Sequence, residues 1–298
     1  MPVTAARRRE MLADLVADGD LVVLSGAGLS TESGIPDYRG ETGRRRQARP
    51  MTYQAFTGGA AARRRYWARG HLGWRHITRA EPNAGHRAVA ELQRRGLVAG
   101  IITQNVDGLH QAAGADGVIE LHGGLDRVLC LGCGRRSPRD DLHDRLDAAN
   151  PGWRAEASAV NPDGDAALSD EEIAAFRIVD CERCGGILKP DVIFFGENVP
   201  APRVRECFAL TERAGTLLVL GSSLTVMSGF RFVRHASGLS IPVAIINQGP
   251  TRGDEHALVT LDAPLGPTLD DLVAGLDGTG RAVFSQSRPR ALAWRLAP

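Results

Sequence analysis

Four of the five cysteines stand as two Cys-x-x-Cys pairs, Cys130 with Cys133 and Cys181 with Cys184. Four thiolates in this pattern suit a closed tetrahedral Zn2+ site. A closed site keeps no position for water, so one structural zinc is expected rather than a catalytic one. The stretch between the pairs exceeds the roughly 15–20 residues of compact zinc ribbons. No concentrated basic or aromatic face accompanies the pairs, so direct nucleic-acid binding is not expected. The fifth cysteine, Cys207, makes the count odd and argues against a disulfide framework. It reads as a small buried apolar residue on a helix.

A second set of residues points to a nucleotide. Gly26-Ala27-Gly28-Leu29-Ser30 follows the apolar run 21–25. Glycines directly after a buried strand let the backbone approach a pyrophosphate, and a following helix N-terminus offers free N–H groups. The spacing departs from Gly-x-Gly-x-x-Gly. Where hydride-transferring enzymes place an acidic residue to hold a ribose, this chain has Arg44-Arg45-Arg46-Gln47. NAD as a recycled hydride carrier is therefore disfavoured. Thr103-Gln104-Asn105-Val106-Asp107-Gly108-Leu109-His110 also follows an apolar run, as do Gly221-Ser222-Ser223-Leu224 and Asn247-Gln248-Gly249-Pro250-Thr251. Each alone reads equally as a turn or a cap. Together they describe strand ends of the kind at which open α/β sheets bind ligands. In Glu120-Leu121-His122-Gly123-Gly124 the histidine titrates in the range a general base needs. By itself it would more often be a satisfied structural residue.

These residues need a scaffold. Apolar runs at 21–25, 98–103, 192–195, 216–220 and 242–247 read as buried strands. Helical patterns lie between them, at 83–95 with Asn83 as N-cap and Gly96 as stop, at 202–214 and at 269–276. Strands alternating with helices predict an α/β fold: a Rossmann-type, mostly parallel sheet with helices on both faces, plus a small zinc-binding module. The expected division is 1–40, 81–125 and 187–298 for the nucleotide-binding domain. A helical insert, 41–80, and the zinc module, 126–186, form the small domain. From about 130 to 184 the rhythm breaks into a loop-rich insert. The 298 residues are long enough for this arrangement, 43% are hydrophobic, and a net charge of +1 gives no bulk attraction to nucleic acid or membrane. No apolar run reaches the ~18 residues of a membrane span. Arg7, Arg8 and Arg9 precede no apolar signal core, so a cytoplasmic protein is expected. Lys189, the only lysine, reads as a surface charge before a proline.

Taken in order, these segments resemble the sirtuin family closely. They are joined by Gly34-Ile35-Pro36-Asp37-Tyr38-Arg39 and Lys189-Pro190-Asp191-Val192-Ile193-Phe194-Phe195-Gly196-Glu197. The resemblance spans roughly residues 21–265. It looks closest to the class II branch, through Arg65-Tyr66-Trp67-Ala68-Arg69, Asp126-Arg127-Val128-Leu129-Cys130-Leu131 and the insert with Asn150-Pro151-Gly152-Trp153 and Asn161-Pro162-Asp163-Gly164-Asp165.

The resemblance implies an NAD-dependent protein lysine deacylase in which NAD is consumed. The acyl-lysine carbonyl oxygen attacks the ribose carbon that bears nicotinamide, nicotinamide leaves, and an imidate-linked intermediate forms. His122 then acts as general base on a ribose hydroxyl, and hydrolysis yields lysine and O-acyl-ADP-ribose. Asn105 and Asp107 would position the nicotinamide ribose and carboxamide, with Gln104 near the ribose and Val106 beside them. Asp37, Tyr38 and Arg39 would cover the nicotinamide pocket; Tyr38 stands where the family often has Phe. Gly26, Ala27, Gly28, Ser30, Gly221, Ser222 and Ser223 would line the pyrophosphate site. Asn247, Gln248 and Gly249 would hold the adenine ribose, and the backbone near Leu265 the adenine. Acylated peptides would add as a strand between 192–197, with Val192, Phe194 and Gly196, and 223–229. Tyr66 and Arg69, spaced i and i+3, resemble a pair that recognises a carboxylate-bearing acyl group; packing and solvation explain them equally. Mono-ADP-ribosyl transfer and a non-catalytic NAD-sensing module are the competing readings.

Overall fold

The computed structural model describes residues 3–37, 50–155 and 168–278. Tyr38, Arg39, the 44–47 run and the 161–165 part of the insert lie outside them. Along the chain the elements are α1 (Ala5–Ala17), β1 (Leu21–Ser25), α2 (Tyr53–Gly58), α3 (Ala60–Ile77), α4 (Ala84–Arg94), β2 (Val98–Thr103), α5 (Leu109–Ala112) and β3 (Val118–Glu120). There follow β4 (Gly123–Cys130), β5 (Arg136–Pro138), α6 (Arg139–Ala149), α7 (Asp170–Ala175), β6 (Leu188–Val192) and α8 (Ala201–Glu212). The last are β7 (Thr216–Leu220), α9 (Met227–Gly238), β8 (Val243–Asn247), β9 (Val259–Asp262) and α10 (Leu265–Gly278).

Six strands form one parallel sheet in the order β3-β2-β1-β7-β8-β9. Every residue of β1 and β7 is buried, which is why both read as unbroken apolar runs. Alternate side chains feed opposite faces. Leu21, Val23, Leu218 and Leu220 pack with α1, α4 and α10 through Leu12, Val16, Val89, Leu92 and Leu269. Val22, Leu24, Leu217 and Val219 pack with α8 and α9 through Cys207, Leu210, Phe230 and Val233. Cys207 is thus the buried helical residue expected. Asn83 and His86 close a capping box at the start of α4, and Gly96, at φ +76°, follows its end. The chain builds outward from β1 to β3 and then from β7 to β9. The reversal lies between β1 and β7, the switch point beside whose carboxyl strand ends open α/β sheets bind ligands in a crevice.

A second sheet, antiparallel β5-β4-β6, packs with α2, α3, α6 and α7 around Phe56, Trp67, Val128, Leu142, Phe176 and Leu188. Three expectations change here. The 192–195 run is not a strand of the parallel sheet: β6 ends at Val192, and its partner is β4. The region between the cysteine pairs contains the helix α6, whose apolar face is reduced to Leu142 and Leu146 among charged residues and so was hard to see by periodicity. Lys189 is not on the surface. It is 1% exposed, its Nζ lies 3.1 Å from Glu197 Oε2, and it donates to the Pro190 and Val192 carbonyls. Burial lowers its pKa, and Glu197 acts against that shift.

The four paired cysteines meet at the tip of this small sheet. Cys130 Sγ lies 3.5 Å from Cys184 Sγ, Cys133 Sγ lies 3.9 Å from Cys181 Sγ, and all four sulfurs fall within 4.8 Å of one another. Sulfurs held at about 2.3 Å from one zinc would stand roughly 3.8 Å apart. The residues therefore fit one structural zinc. Cys133→Ser should lose that tightly held zinc in metal analysis and melt at a lower temperature. Zinc retention with an unchanged melting midpoint would contradict the structural assignment.

Candidate active site

The glycine turn meets the β7 loop before it meets any ligand. Gly28 N–H donates to the Gly221 carbonyl at 2.8 Å, and Gly26 N–H to the Leu220 carbonyl at 2.9 Å. A methyl on Gly26 would sit 2.7 Å from Ser222 Cβ, and one on Gly28 2.8 Å from the Gly221 oxygen. Gly221 itself holds φ +60°. The sequence pattern suggested glycines for approach to a pyrophosphate; their first physical reason is approach of backbone to backbone. Ala27 and Ser30 belong to the 3-10 helix Ala27–Ser33 that follows.

The end of β2 is tied to both loops. Gln104 Nε2 donates to Ser222 Oγ at 2.9 Å and to the Ser25 carbonyl at 3.2 Å. Asn105 Nδ2 donates to the Gly26 carbonyl at 3.1 Å and to Ser30 Oγ at 3.0 Å. Ser30 Oγ in turn donates to Asp107 Oδ2 at 2.7 Å, and Leu109 N–H to Asp107 Oδ1 at 3.0 Å. Desolvation raises the Asp107 pKa, opposed by these two donors. Val106 is half-buried: its carbonyl accepts from Leu125 N–H, and its side chain packs on the core of the small module.

His122 follows β3 and faces this network. Its Nδ1 lies 2.9 Å from the Gln104 carbonyl oxygen, which can only accept, so Nδ1 carries the proton. Nε2 keeps its lone pair and accepts from Ser228 Oγ at 2.8 Å. Burial pushes the imidazole pKa below 6.5; the Gln104 carbonyl opposes this, and Arg203 and Arg231 lower it further. Ser228, at the start of α9, was not singled out in the sequence. Its only signal there is a hydroxyl residue six positions beyond the small-residue end of β7. The His122 carbonyl accepts from Ile193 N–H at 2.8 Å, which ties His122 to the exit of β6.

That exit is rigid. Glu197 Oε2 accepts from Phe194 N–H at 2.9 Å while pairing with Lys189, and the Lys189 ammonium lies 4.7 Å from the Phe194 ring centre. Val192 and Phe194 are buried, and Gly196 takes φ +78° against Gln54. Tyr66 packs edge-on to Phe194, Phe56 and Trp67 with ring centres 5.1, 5.5 and 5.3 Å away. Arg69 is on the same helix, half-buried.

The remaining crevice residues lie farther along the loop ends. Asn247 Nδ2 donates to the Gln248 and Gly249 carbonyls at 3.0 and 2.9 Å, closing the turn after β8. Ser223 Oγ pairs with Thr225 Oγ1 at 3.0 Å. Leu265 is buried at the start of α10, near Gly221. Asp37 is the last described residue on its side of the 38–49 segment.

Known proteins are similar to this chain in sequence and in fold. A family model described as the Sir2 family matches residues 26–228. NAD-dependent protein deacetylase 1 of Streptomyces coelicolor is 61% identical over 258 residues, 87% of this chain and 86% of that protein. NAD-dependent protein deacetylase 1 of Mycobacterium avium is 53% identical, over 88% of this chain and 93% of that protein. Among solved structures, a complex of Sir2 with a p53 peptide and NAD+ superposes with a TM-score of 0.72 at 29% identity, covering 91% of this chain and 98% of that one. A structure described for the mechanism and regulation of Sir2 enzymes gives a TM-score of 0.73 at 28% identity, covering 93% and 100%. The chain belongs to the Sir2 family.

Proposed function

We propose that this protein is an NAD-dependent protein lysine deacetylase with His122 as its general base. The observation that carries the reading is the His122 imidazole, with Nδ1–H fixed on the Gln104 carbonyl, Nε2 meeting the Ser228 hydroxyl, and burial acting against its protonation. The relatives named as NAD-dependent protein deacetylases and the neighbour bound to peptide and NAD+ support the substrates. The crevice suits a dinucleotide in its donor chemistry, because polar side chains gather at the carboxyl ends of β1, β2, β7 and β8 around the strand-order reversal. NAD supplies a ribose carbon whose nicotinamide can be displaced by the acyl oxygen of the substrate lysine.

The chain's own residues do the rest. Asn105, Ser30 and Asp107 form one hydrogen-bonded unit that orients the nicotinamide-ribose end. Gln104 and Ser222 hold the junction between the β2 and β7 loops, beside the phosphates. In the resting state the Ser228 hydroxyl occupies the His122 lone pair; a ribose hydroxyl takes that place, and Nε2 accepts its proton. The Lys189–Glu197 pair fixes the 192–197 turn along which the acylated peptide lies. Tyr66 acts as the packing support of Phe194, so we assign the acyl site to short neutral groups, acetyl above all, with no recognition of a carboxylate by Arg69.

Purified protein given NAD and an acetyl-lysine peptide should release nicotinamide and deacetylated peptide. His122→Ala should lower deacetylation about 10²–10⁴-fold; full turnover by that variant would remove His122 as the base. The profile of kcat/KM should fall on the acid side as His122 gains its proton. Because burial sets the folded pKa low, half-maximal activity belongs below pH 6.5. Ser228→Ala removes a donor to the neutral imidazole and should move that limb to higher pH; a wild-type limb above pH 6.5 would contradict the burial argument. Across acetyl, succinyl, lipoyl and long-chain peptides, acetyl should be preferred, and Arg69→Ala should leave the ranking unchanged. A succinyl preference abolished by Arg69→Ala would reverse the acyl assignment.

A further inference from the structure

The small module holds a second cluster of metal-ligating side chains, apart from the four cysteines. His71 projects from α3, and His143 and Asp147 lie one turn apart on α6. His71 Nε2 is 3.0 Å from Asp147 Oδ1, and His143 Nε2 is 3.6 Å from Asp147 Oδ2. The two imidazoles stack with centres 4.3 Å apart, and one ligand atom from each of the three residues lies within 4.8 Å of the others. Nitrogen and oxygen donors at about 2.0–2.2 Å from a shared zinc-sized ion stand roughly 3–3.6 Å apart. The two His–Asp147 separations fall in that range.

The surroundings also point to an ion. The His71 side chain is 4% exposed, walled by Phe176 and Trp153 at ring distances of 5.5 and 6.1 Å. Nδ1 of His71 and Nδ1 of His143 are buried with no hydrogen-bond partner. The two imidazoles present their Nε2 atoms to one shared carboxylate. Asp147 is half exposed, so the cluster opens to solvent on that side. Two cations flank it. Arg75 Nη2 is 3.8 Å from Asp147 on an exposed side chain that can swing away. Arg139 lies over the Trp67 and Trp74 rings, 5.0 and 5.5 Å from their centres, and its charge acts against a nearby dication.

We propose that His71, His143 and Asp147 form a second, reversible divalent-metal site of the zinc or nickel class. Imidazole and carboxylate donors without thiolate suit these ions. The bound ion staples α3, which carries Tyr66 and Arg69, to α6 of the cysteine module. The proposal rests on the cluster's geometry and does not depend on the deacetylase reading.

The test uses untagged full-length protein whose four-cysteine site is already loaded with zinc, titrated with NiCl2 by calorimetry. Wild type should take up one further equivalent, with a melting midpoint that rises with nickel concentration. Asp147→Asn, at a half-exposed position, and His143→Ala should each weaken uptake at least about tenfold and lose the midpoint rise, while keeping the first zinc. Cobalt at the second site should give visible d–d bands without a thiolate charge-transfer band. No uptake by folded wild type, or uptake that both variants leave unchanged, would overturn the proposal.

Discussion

Two loop backbones touch where the large sheet reverses its strand order, and the crevice takes its shape from that contact. Gly28 and Gly221 are joined by a main-chain hydrogen bond of 2.8 Å, with no room for a methyl on either loop. Forcing extra carbon into packing of this kind costs about 1–3 kcal/mol and moves backbone. Here the backbone that would move carries the Gln104–Ser222 bridge and the Asn105–Ser30–Asp107 unit. Polar residues at several strand ends therefore act as one rigid lining.

His122 sits at the meeting of three such elements. Gln104 of the large sheet fixes its tautomer, Ser228 of α9 meets its lone pair, and Ile193 at the exit of β6 holds its carbonyl. The zinc module reaches the same residue through β4, which starts at Gly123 and ends at Cys130. At about 3.3 Å per residue this strand puts the cysteine cluster on the order of 20 Å from the imidazole. A zinc held by the cysteines would steady the far end of the strand whose near end adjoins His122.

How much of this was legible in the sequence depended on range. β1, β2, β7 and β8 announced themselves because strands buried on both faces are continuously apolar, and Asn83 and Gly96 bracketed α4 by local capping chemistry. The cysteine cluster was readable because its spacing carries the ligand count. β3 and β9 were missed: each is short and contains polar residues, and only its neighbour in the sheet defines it. β6 was misplaced because an apolar run does not say which sheet it joins. Lys189 was misread because its partner, Glu197, is brought back by a turn that no local rule encodes. Ser228 escaped for the same reason: a serine at a helix start gains meaning only when a histidine over a hundred residues earlier is folded onto it.

The burial of Lys189 has a bearing on the protein as an object in solution. It is the only lysine in the sequence, and it is spent inside the small module on an ion pair and two carbonyls. The positive charge on the outside of the molecule is carried by guanidinium groups, which stay protonated and are poor nucleophiles. Reactive acyl donors that modify the amines of neighbouring proteins find no accessible side-chain amine here, so the surface charge of this chain is insulated from the modification its family removes.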